Sequence, residues 1–310
     1  MRNKEWSKPF SISHEKSHKK FFLDKFFYRS IRLVQLVRIL RTFGVRFTIR
    51  IIEEVYQDSQ TPIIAAESQA GLMLYGIEDD IIYESMLRGE FREPHFKQVA
   101  QVILNPSSNC IDLGANHGSH SLWMSEICPT GKIYAFEPQP KIFQALSLNA
   151  LMNNRTNIQL YNLAASEKTG TNIFIEQAKR NRNLINSGWS RVLFDYEIQH
   201  SATVALDDLQ FEKISLIKMD IQGSELSAIK GMTKLLKRDR PFIFFEVEDI
   251  HLKFHKTTSA ELYSYVSSED YSIYRIDSQY PCDNIAVPNE DLEDVLIKLK
   301  KLRFGFQLIV

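Results

Sequence analysis

The chain has 310 residues, of which 44% are apolar and 25% charged, and its formal net charge at pH 7 is zero. These values are typical of a globular protein and exclude a need for disulfides or a structural metal to complete its core. The length allows one large domain, or a domain of about 200 residues with an extension. Cys110, Cys128 and Cys282 form no CxxC pair, so we expect a reducing compartment and no metal site.

The first fifty residues are strongly basic. Residues 1–50 carry thirteen Lys or Arg and three acids, a balance of +10 that the rest of the chain offsets. Apolar residues recur at helical spacing through 27–43 with arginines between them, which predicts a basic amphipathic helix. Two interpretations are open: a helical cap with solvated arginines, or a segment over 18–50 that contacts an anionic membrane surface or a partner.

The sequence predicts neither a secretory signal nor a membrane-spanning helix. The polar start of the sequence lacks the apolar core of a secretory signal, and no run of eighteen uncharged apolar residues occurs. We therefore expect a cytoplasmic protein, which contacts a membrane only at its surface if the basic segment has that role.

Four segments are predicted along the chain. Residues 1–55 form the basic helical extension, and residues 56–106 form a lead-in or cap region with a short hairpin or helix and then a helix through "EPHFKQVAQVIL". Residues 107–290 form the main domain, and residues 291–310 form a C-terminal helix.

Strand and helix patterns alternate through the main domain. The main buried strands are predicted at "NCIDLG", "KIYAFEP", "KISLIKMD" and "PFIFFEVED", with shorter strands at "NIQLYNLAAS", "NIFIEQ", "YSIYRID" and "NIAVP". Helices lie between them, including one continuous helix over 223–238. Apolar strands separated by helices are typical of an α/β, Rossmann-like fold, with a mostly parallel sheet and helices on both faces.

The loop "CIDLGANHGSH" follows the first strong strand, where ligands bind in open α/β sheets. It lacks the third glycine of a dinucleotide fingerprint and the Gly-Lys-Ser ending of a phosphate loop. An acid, Asp112, lies two residues before Gly114, and Gly118 follows four later. This pattern fits a loop that binds S-adenosylmethionine, with Asp112 near its amino acid part. We expect His117 to shape the loop or the mouth of the acceptor site.

A second acid ends the next strand. Glu137 lies about twenty residues beyond the loop, where a carboxylate can accept both hydrogen bonds of a ribose diol. An NAD site would share this acid, so the loop is what favours the sulfonium cofactor.

Further acids follow the fourth and fifth main strands. "KMDIQGSE" places Asp220 at the end of one strand, and Glu225 at the start of a helix, where it either stabilises the helix dipole or belongs to the site. Methyl transfer to a hydroxyl needs alignment and a proton acceptor. The candidates are Asp220, Glu246 and His251. Glu246 and Glu248 are two residues apart and are predicted to share one face of a strand.

Six blocks in order resemble the FkbM family of S-adenosylmethionine-dependent methyltransferases. They are "IDLGANHGSHSLWMSE", "GKIYAFEPQPKIFQALSLNALMN", "LAASEKTG", "IKMDIQGSELSAIKGM", "IFFEVE" and "NIAVP". The resemblance covers roughly residues 90–290 and implies a class I methyltransferase fold. It also implies methyl transfer, most often to oxygen, on sugars, polyketides or related metabolites. The family often has a glutamate at the position of Gln222.

These inferences define one expected site. The residues expected to contact S-adenosylmethionine are Asp112, Gly114, Asn116, Gly118, Glu137, Pro138, Ala164 and Asp220. The expected catalytic residues are Asp220, Glu246 and His251, without a metal. We expect O-methylation of a sugar, glycan or small metabolite. The alternatives are a catalytically silent methyltransferase-like protein tethered through its basic N-terminus, and, less favoured because the main domain is acidic, a nucleic-acid methyltransferase.

Overall fold

The structure is a computed structural model that describes residues 49–51, 63–68, 71–76, 93–170, 172–180, 184–193, 200–278 and 281–310. Most of the predicted basic helix, including its possible membrane-contacting segment, lies outside these residues. Ile49–Ile51 are described, and they form a strand rather than the predicted helix. Two β-branched isoleucines flank an arginine there, an alternation that suits a strand. Within the described residues, no helix is long and apolar enough to cross a bilayer.

The described strands and helices are numbered separately in chain order. The strands are β1 (Ile49–Ile51), β2 (Ile63–Ser68), β3 (Gly71–Gly76), β4 (Asn109–Leu113), β5 (Ile133–Phe136), β6 (Ile158–Tyr161), β7 (Leu163–Ala165), β8 (Asn172–Arg180), β9 (Leu184–Leu193), β10 (His200–Val204), β11 (Ile214–Met219), β12 (Phe242–Glu246), β13 (Tyr271–Asp277), β14 (Asp283–Pro288) and β15 (Gly305–Leu308). The helices are α1 (Pro94–Ile103), α2 (Ser119–Ile127), α3 (Pro140–Met152), α4 (Glu225–Lys230), α5 (Thr233–Asp239), α6 (Asp249–Phe254), α7 (Ser259–Ser268) and α8 (Leu292–Leu299).

The main sheet has eight strands in the order β15-β13-β14-β12-β11-β4-β5-β6. β12, β11, β4, β5 and β6 are parallel to one another. β14 runs antiparallel to both of its neighbours, and β15 runs antiparallel to β13. The predicted mostly parallel sheet is therefore confirmed, and its two antiparallel strands, β14 and β15, lie toward one edge.

Helices cover both faces of this sheet, as predicted. Alternate residues of the central strands belong to two separate apolar cores because side chains alternate between the faces of a strand. Ile111 and Ile217 belong to the core beneath α4, α5 and α7. Cys110 and Leu216 belong to the opposite core, which α1, α2 and α8 cover.

Two smaller sheets lie outside the main one. β1, β2 and β3 form an antiparallel sheet in which β2 and β3 are a hairpin. The short hairpin or helix was predicted over residues 71–91, of which only β3 lies within the described residues. β7, β10, β8 and β9 form the other. The helix predicted through "EPHFKQVAQVIL" is α1, which begins at Pro94, a residue favoured in the first turn of a helix.

The predicted continuous helix over 223–238 is wrong, because the chain forms α4 and α5 with a break at Gly231. A Cβ at Gly231 would lie 2.0 Å from the Ser166 carbonyl oxygen. The Gly231 carbonyl oxygen also accepts a hydrogen bond from the Asp207 N–H at 2.9 Å. The break thus allows this turn to contact the backbone at Ser166 and Asp207 directly.

The predicted single helix over 291–310 is also wrong beyond Leu299. After α8, the chain turns back and adds β15 to the edge of the main sheet. Phe304 and Phe306 are two residues apart and both pack on the core beneath α8. This period of two favours a strand over a helix.

Candidate cofactor and acceptor site

The strand order changes direction between β4 and β11, the place where open α/β sheets bind ligands. The loop after β4 approaches the end of β11 closely. A Cβ at Gly114 would lie 1.9 Å from the Asp220 carbonyl oxygen, and the φ of Gly114 is +75°. The Asp220 N–H also donates to the Leu113 carbonyl oxygen at 3.1 Å. The first predicted loop glycine is therefore required by the contact between two loops at the switch point.

Asp112 is completely buried at the start of this site. Ser121 Oγ, from the first turn of α2, donates to Asp112 Oδ2 at 2.5 Å. Within the described part of the chain, Asp112 Oδ1 has no hydrogen-bond partner. A buried carboxylate oxygen without a donor costs free energy, so Asp112 is suited to a donor that arrives with a ligand.

Glu137 lies directly after β5 and is 3% exposed. Its Oε2 accepts the Asn116 N–H, and its Oε1 accepts the Gln139 N–H, both at 2.9 Å. Burial raises the pKa of Glu137 to about 7, and the two backbone hydrogen bonds oppose that rise. Each oxygen can accept a second hydrogen bond, so the pair of hydroxyls of a ribose diol fits this carboxylate.

The rest of the loop is held from beneath by α3. A Cβ at Gly118, whose φ is +91°, would lie 2.5 Å from Leu146 Cδ1. Asn149 Nδ2 donates to the His117 carbonyl oxygen at 2.7 Å, and the same amide group bonds to the backbone of Leu74 in β3. Burial lowers the pKa of His117 to about 4, so its ring is neutral at physiological pH. His117 therefore lies inside the loop structure, which agrees with a role in shaping it.

Pro138 and Ala164 occupy different surroundings. Asn162 Nδ2 donates to the carbonyl oxygens of Glu137 and Pro138, at 2.8 and 3.1 Å, and so holds the chain after β5. Ala164 is buried in β7, where it pairs with Thr203 of β10 in a separate sheet. Its contact with the cofactor stays a prediction.

An acidic cluster lies at the carboxyl ends of β11 and β12. Gln222 Nε2 donates to Asp220 Oδ1 at 2.8 Å and lies 3.4 Å from Glu246 Oε2. Cys282 Sγ donates to Glu246 Oε1 at 3.1 Å. The Gln222 amide thus bridges two carboxyl groups, where a glutamate would add a third carboxyl group.

Burial dominates the electrostatics of this cluster. It raises the pKa of Glu246 to about 10, and the neighbouring Asp220 adds to the rise. Glu246 is therefore protonated near neutral pH. Burial, with Glu246 beside it, also raises the pKa of the Cys282 thiol well above its usual value. Ligand atoms of Glu246, Glu248 and Cys282 lie within 4.8 Å of one another, and within this group the Cys282 thiol donates its hydrogen bond to Glu246.

A buried lysine, absent from the predicted site, lies next to the cluster. Lys218 Nζ is 3.4 Å from Asp220 Oδ2, and the side chains of Lys218 and Asp220 are 2% and 31% exposed. In the sheet, Lys218 is the register partner of Asp112 on one side and of Phe244 on the other. It therefore lies between β4, the strand that leads into the cofactor loop, and β12, the strand that ends in Glu246.

Helix α1 contributes polar groups to the same face. Trp123 Nε1 donates to His120 Nδ1 at 3.1 Å, so the ring proton of His120 is on Nε2, which lies 3.1 Å from Glu93 Oε2. His95 Nε2 lies 2.5 Å from Asp283 Oδ2. Buried polar contacts thus attach the start of α1 to α2 and to β14.

The remaining predicted groups have mainly local contacts. His251 is 4% exposed in α6, with Nε2 2.9 Å from Glu248 Oε2. β12 ends at Glu246 and Glu248 directly precedes α6, so the prediction that both acids share one strand is wrong. Glu225 Oε1 accepts two backbone N–H groups of the preceding turn at 3.2 and 3.3 Å, which favours its structural interpretation.

Comparison with known proteins decides the family of this chain. The model of the methyltransferase FkbM domain matches residues 112–273, more than half of the chain. The chain belongs to the FkbM methyltransferase family. S-adenosylmethionine is the methyl donor. The main sheet of this FkbM domain has the class I methyltransferase fold that the sequence predicted.

Several relatives are similar to the FkbM domain. The chain is 27% identical over 206 residues to methyltransferase sdnD of Sordaria araneosa, covering 56% of this chain and 77% of the relative. It is 28% identical over 177 residues to the 2-O-methyltransferase NoeI of Sinorhizobium fredii, covering 50% and 70%. It is 30% identical over 146 residues to the hexuronic acid methyltransferase AglP of Haloferax volcanii, covering 45% and 54%.

A solved structure of methyltransferase FkbM from Methylobacillus flagellatus is also similar. The match is 19% identical with a TM-score of 0.41, and it covers 59% of this chain and 44% of that one. The chain thus spans less than half of that protein.

The residues of the FkbM domain fit S-adenosylmethionine. Asp112 Oδ1 is a buried acceptor without a donor among the described residues, and the cofactor carries an ammonium group on its amino acid part. Glu137 can accept two hydroxyl hydrogen bonds while it holds the loop through Asn116. Gly114 allows the loop to lie against the end of β11, because a Cβ there would be 1.9 Å from the Asp220 carbonyl oxygen. The fit depends on hydrogen-bond acceptors rather than on a cationic phosphate-binding group.

Four residues around the site are not among those predicted from the sequence: Lys218, Glu93, His120 and Cys282. Lys218 had a signal, because a lysine within the apolar run "ISLIKM" needs a partner when the strand is central and buried. In the sequence, Cys282 is only a cysteine outside any CxxC pair. Glu93 and His120 meet through the packing of α1 on α2, and no local pattern in the sequence predicts that contact.

Proposed function

We propose that this protein transfers a methyl group from S-adenosylmethionine to a hydroxyl group of a sugar or glycan. One observation carries this proposal: the Asp220 carboxylate is partly exposed while its backbone is joined to the cofactor loop at Leu113 and Gly114. A proton acceptor thus lies next to the expected methyl donor, as oxygen methylation requires.

The cofactor is bound through three groups in this proposal. Glu137 accepts hydrogen bonds from the ribose hydroxyls, Asp112 faces the amino acid part, and the backbone at Gly114 and Gly118 passes close to the ligand. When bound, S-adenosylmethionine supplies an electrophilic methyl group on its sulfonium. Because the charge of the methyl donor is positive, the acidic lining of the site also favours its binding.

Asp220 accepts the proton of the acceptor hydroxyl as the new oxygen–carbon bond forms and the sulfur–carbon bond breaks. We assign this role to Asp220 rather than Glu246, because the raised pKa of Glu246 keeps it protonated near neutral pH. Glu246 instead supports the cluster through Gln222. His251 Nε2 lies 2.9 Å from Glu248 Oε2, so we assign His251 a supporting role through that carboxylate.

The choice of a sugar hydroxyl rests on the relatives. One is named as a 2-O-methyltransferase and another as a hexuronic acid methyltransferase. Their identity to this chain lies between 28% and 30%, so the acceptor of this protein is a matter for experiment.

The test has two stages. Calorimetry with S-adenosylhomocysteine measures cofactor binding, and a panel of methyl glycosides, uronic acids and short glycans is then incubated with radiolabelled S-adenosylmethionine. Labelled product that appears with a glycoside supports the proposal. Product with RNA alone contradicts it. Binding without transfer to any hydroxyl compound also contradicts it and favours a catalytically silent binding protein.

A further inference from the structure

Lys218 is a buried cation on the face of the sheet beneath the site. It stands in β11 between Leu216, which is fully buried in an apolar core, and Asp220, which is partly exposed. Its side chain is 2% exposed, so the ammonium group does not face open solvent. A lysine at such a place needs carboxylates around it to remain charged.

Those carboxylates are present. Burial lowers the pKa of Lys218, but the charges of the nearby Asp220, Glu93 and Asp112 outweigh it, and the net pKa is above its usual value. The ammonium group is therefore charged at any physiological pH. These acids come from β4, from the end of β11 and from the start of α1, and Asp220 is the one in direct contact with Lys218.

The geometry around Asp220 holds both of its oxygens. Lys218 Nζ lies 3.4 Å from Oδ2, and Gln222 Nε2 donates to Oδ1 at 2.8 Å. Lys218 contacts Asp220 from the buried side, while 31% of the Asp220 side chain is exposed. Lys218 and Gln222 thus hold the carboxylate, while its exposed part remains accessible to a ligand.

We propose that Lys218 is a positioning residue for methyl transfer, whose ammonium group holds the Asp220 carboxylate in place beside the cofactor loop. The inference rests on the proposed function of Asp220 as the proton acceptor. Lys218 does not touch the substrate, and it acts through Asp220 alone in the reaction.

The structure gives a reason to prefer this role over a purely stabilising one. Replacing buried charges by apolar side chains is often neutral or stabilising for a fold. Leu216, two residues earlier on the same face, shows that an apolar side chain suits this layer of the sheet. A lysine here is therefore best explained by its effect on the partly exposed carboxylate.

A double-mutant cycle on the full chain tests the proposal. The variants are Lys218→Met, Asp220→Asn and the two together, with Lys218→Arg as the conservative variant. Lys213→Met serves as the control, because Lys213 is exposed just before β11. Calorimetry with S-adenosylhomocysteine and thermal unfolding accompany kcat for the best methyl glycoside acceptor.

In the wild-type background, we expect Lys218→Met to lower kcat about 10- to 100-fold, with the affinity for S-adenosylhomocysteine within about threefold. In the Asp220→Asn background, the same substitution should change kcat by less than about threefold, because the group on which Lys218 acts is gone. Lys218→Arg should recover most of the rate, and Lys213→Met should match the wild type.

Equal losses in both backgrounds overturn the proposal, because they show that Lys218 acts on the fold or on another group. An unchanged kcat in Lys218→Met overturns it as well. If Lys218→Met alone does not fold, a crystal structure of Lys218→Arg with S-adenosylhomocysteine replaces it, and an Asp220 side chain turned away despite full activity contradicts the proposal. A wild-type protein that binds cofactor but methylates no hydroxyl contradicts the proposed function instead.

Discussion

Gly114 and Asp220 are in direct backbone contact: a Cβ at Gly114 would lie 1.9 Å from the Asp220 carbonyl oxygen. This contact joins the loop after β4 to the end of β11, and so joins the expected cofactor side of the site to its expected catalytic side. The hydrogen bond from the Asp220 N–H to the Leu113 carbonyl oxygen reinforces it. A change at Gly114 therefore affects both halves of the site.

The first prediction concerns Gly114→Ala. The new methyl group must displace the Asp220 backbone, and the φ of +75° adds strain for a residue other than glycine. We expect a loss of ~3 kcal/mol or more in the free energy of unfolding, and no measurable binding of S-adenosylhomocysteine. Urea unfolding and calorimetry measure the two effects.

Gly170→Ala is the matched control for this change. Gly170 has a similar φ of +87°, but nothing lies within 4 Å of its Cβ position. We expect a loss of about 1–2 kcal/mol from strain alone, with cofactor binding intact. Equal effects of the two substitutions would show that the contact with Asp220 is not what makes Gly114 necessary.

The second prediction concerns the pH dependence of cofactor binding. A carboxylate accepts hydrogen bonds from a ribose diol best when it is ionised, and burial raises the pKa of Glu137 to about 7. We expect the affinity for S-adenosylhomocysteine to fall as the pH drops below about 7, by up to tenfold per pH unit. Calorimetry across this range measures the change.

Glu137→Gln tests the origin of that pH dependence. The amide cannot accept hydrogen bonds at both of its terminal atoms, so we expect weaker binding that no longer varies in this pH range. If the variant retains the wild-type pH profile, another group is responsible, and Glu225 is the first to examine because burial also raises its pKa to about 7.

The third prediction separates Asp220 from Glu246. Since Glu246 is protonated near neutral pH, glutamine resembles its native form, and we expect Glu246→Gln to lower kcat by at most about tenfold. Asp220→Asn removes the proton acceptor, and we expect a loss of about 100-fold or more. Initial rates with a saturating acceptor measure both, and the reverse order would exchange the two roles.

Glu246→Gln also has a predicted effect on stability. Folding raises the pKa of Glu246 from its ordinary value of 4.5 to about 10. Its contribution to stability is complete below the ordinary pKa and is lost as the pH rises toward the folded one. Glutamine does not titrate, so the variant does not lose this contribution. We therefore expect the free energy of unfolding of the wild type to fall relative to that of the variant as the pH rises. Urea unfolding at several pH values measures this effect. If the difference in the free energy of unfolding between the two proteins is the same at every pH, folding does not raise the pKa of Glu246.

The parts of the site that the sequence predicted are those encoded by local spacing. The glycines and acids of the loop, and the acids that end β5 and β11, follow directly from strand ends and motif spacing. The strand order places these ends together without further information. Local spacing did not predict the break at Gly231, because its cause is a contact with Ser166, which is distant in sequence.

Contacts between distant elements were not predictable in this way. The Gln222 bridge between Asp220 and Glu246 depends on the conformation of the turn after β11, where Gln222 has a φ of +56°. The attachment of Glu93 to His120 depends on how α1 packs on α2. Helical periodicity predicted α8 correctly, but the predicted helix continued beyond Leu299. The alternation of apolar residues that starts at Phe304 instead indicates a strand.

The last prediction concerns Asp112 and Ser121, which lie 2.5 Å apart through Oδ2 and Oγ. Asp112→Asn keeps an oxygen for the Ser121 hydroxyl but replaces the negative charge. We expect the variant to fold and to bind S-adenosylhomocysteine at least ~10-fold more weakly, because the ligand's ammonium group loses its buried counter-charge. Ser121→Ala leaves the charge and removes the donor, so it should cost about 1–3 kcal/mol of stability with a smaller effect on affinity. Calorimetry and urea unfolding of both variants separate the two roles. If Asp112→Asn binds the cofactor as tightly as the wild type, Asp112 serves the fold through Ser121 and does not bind the ligand.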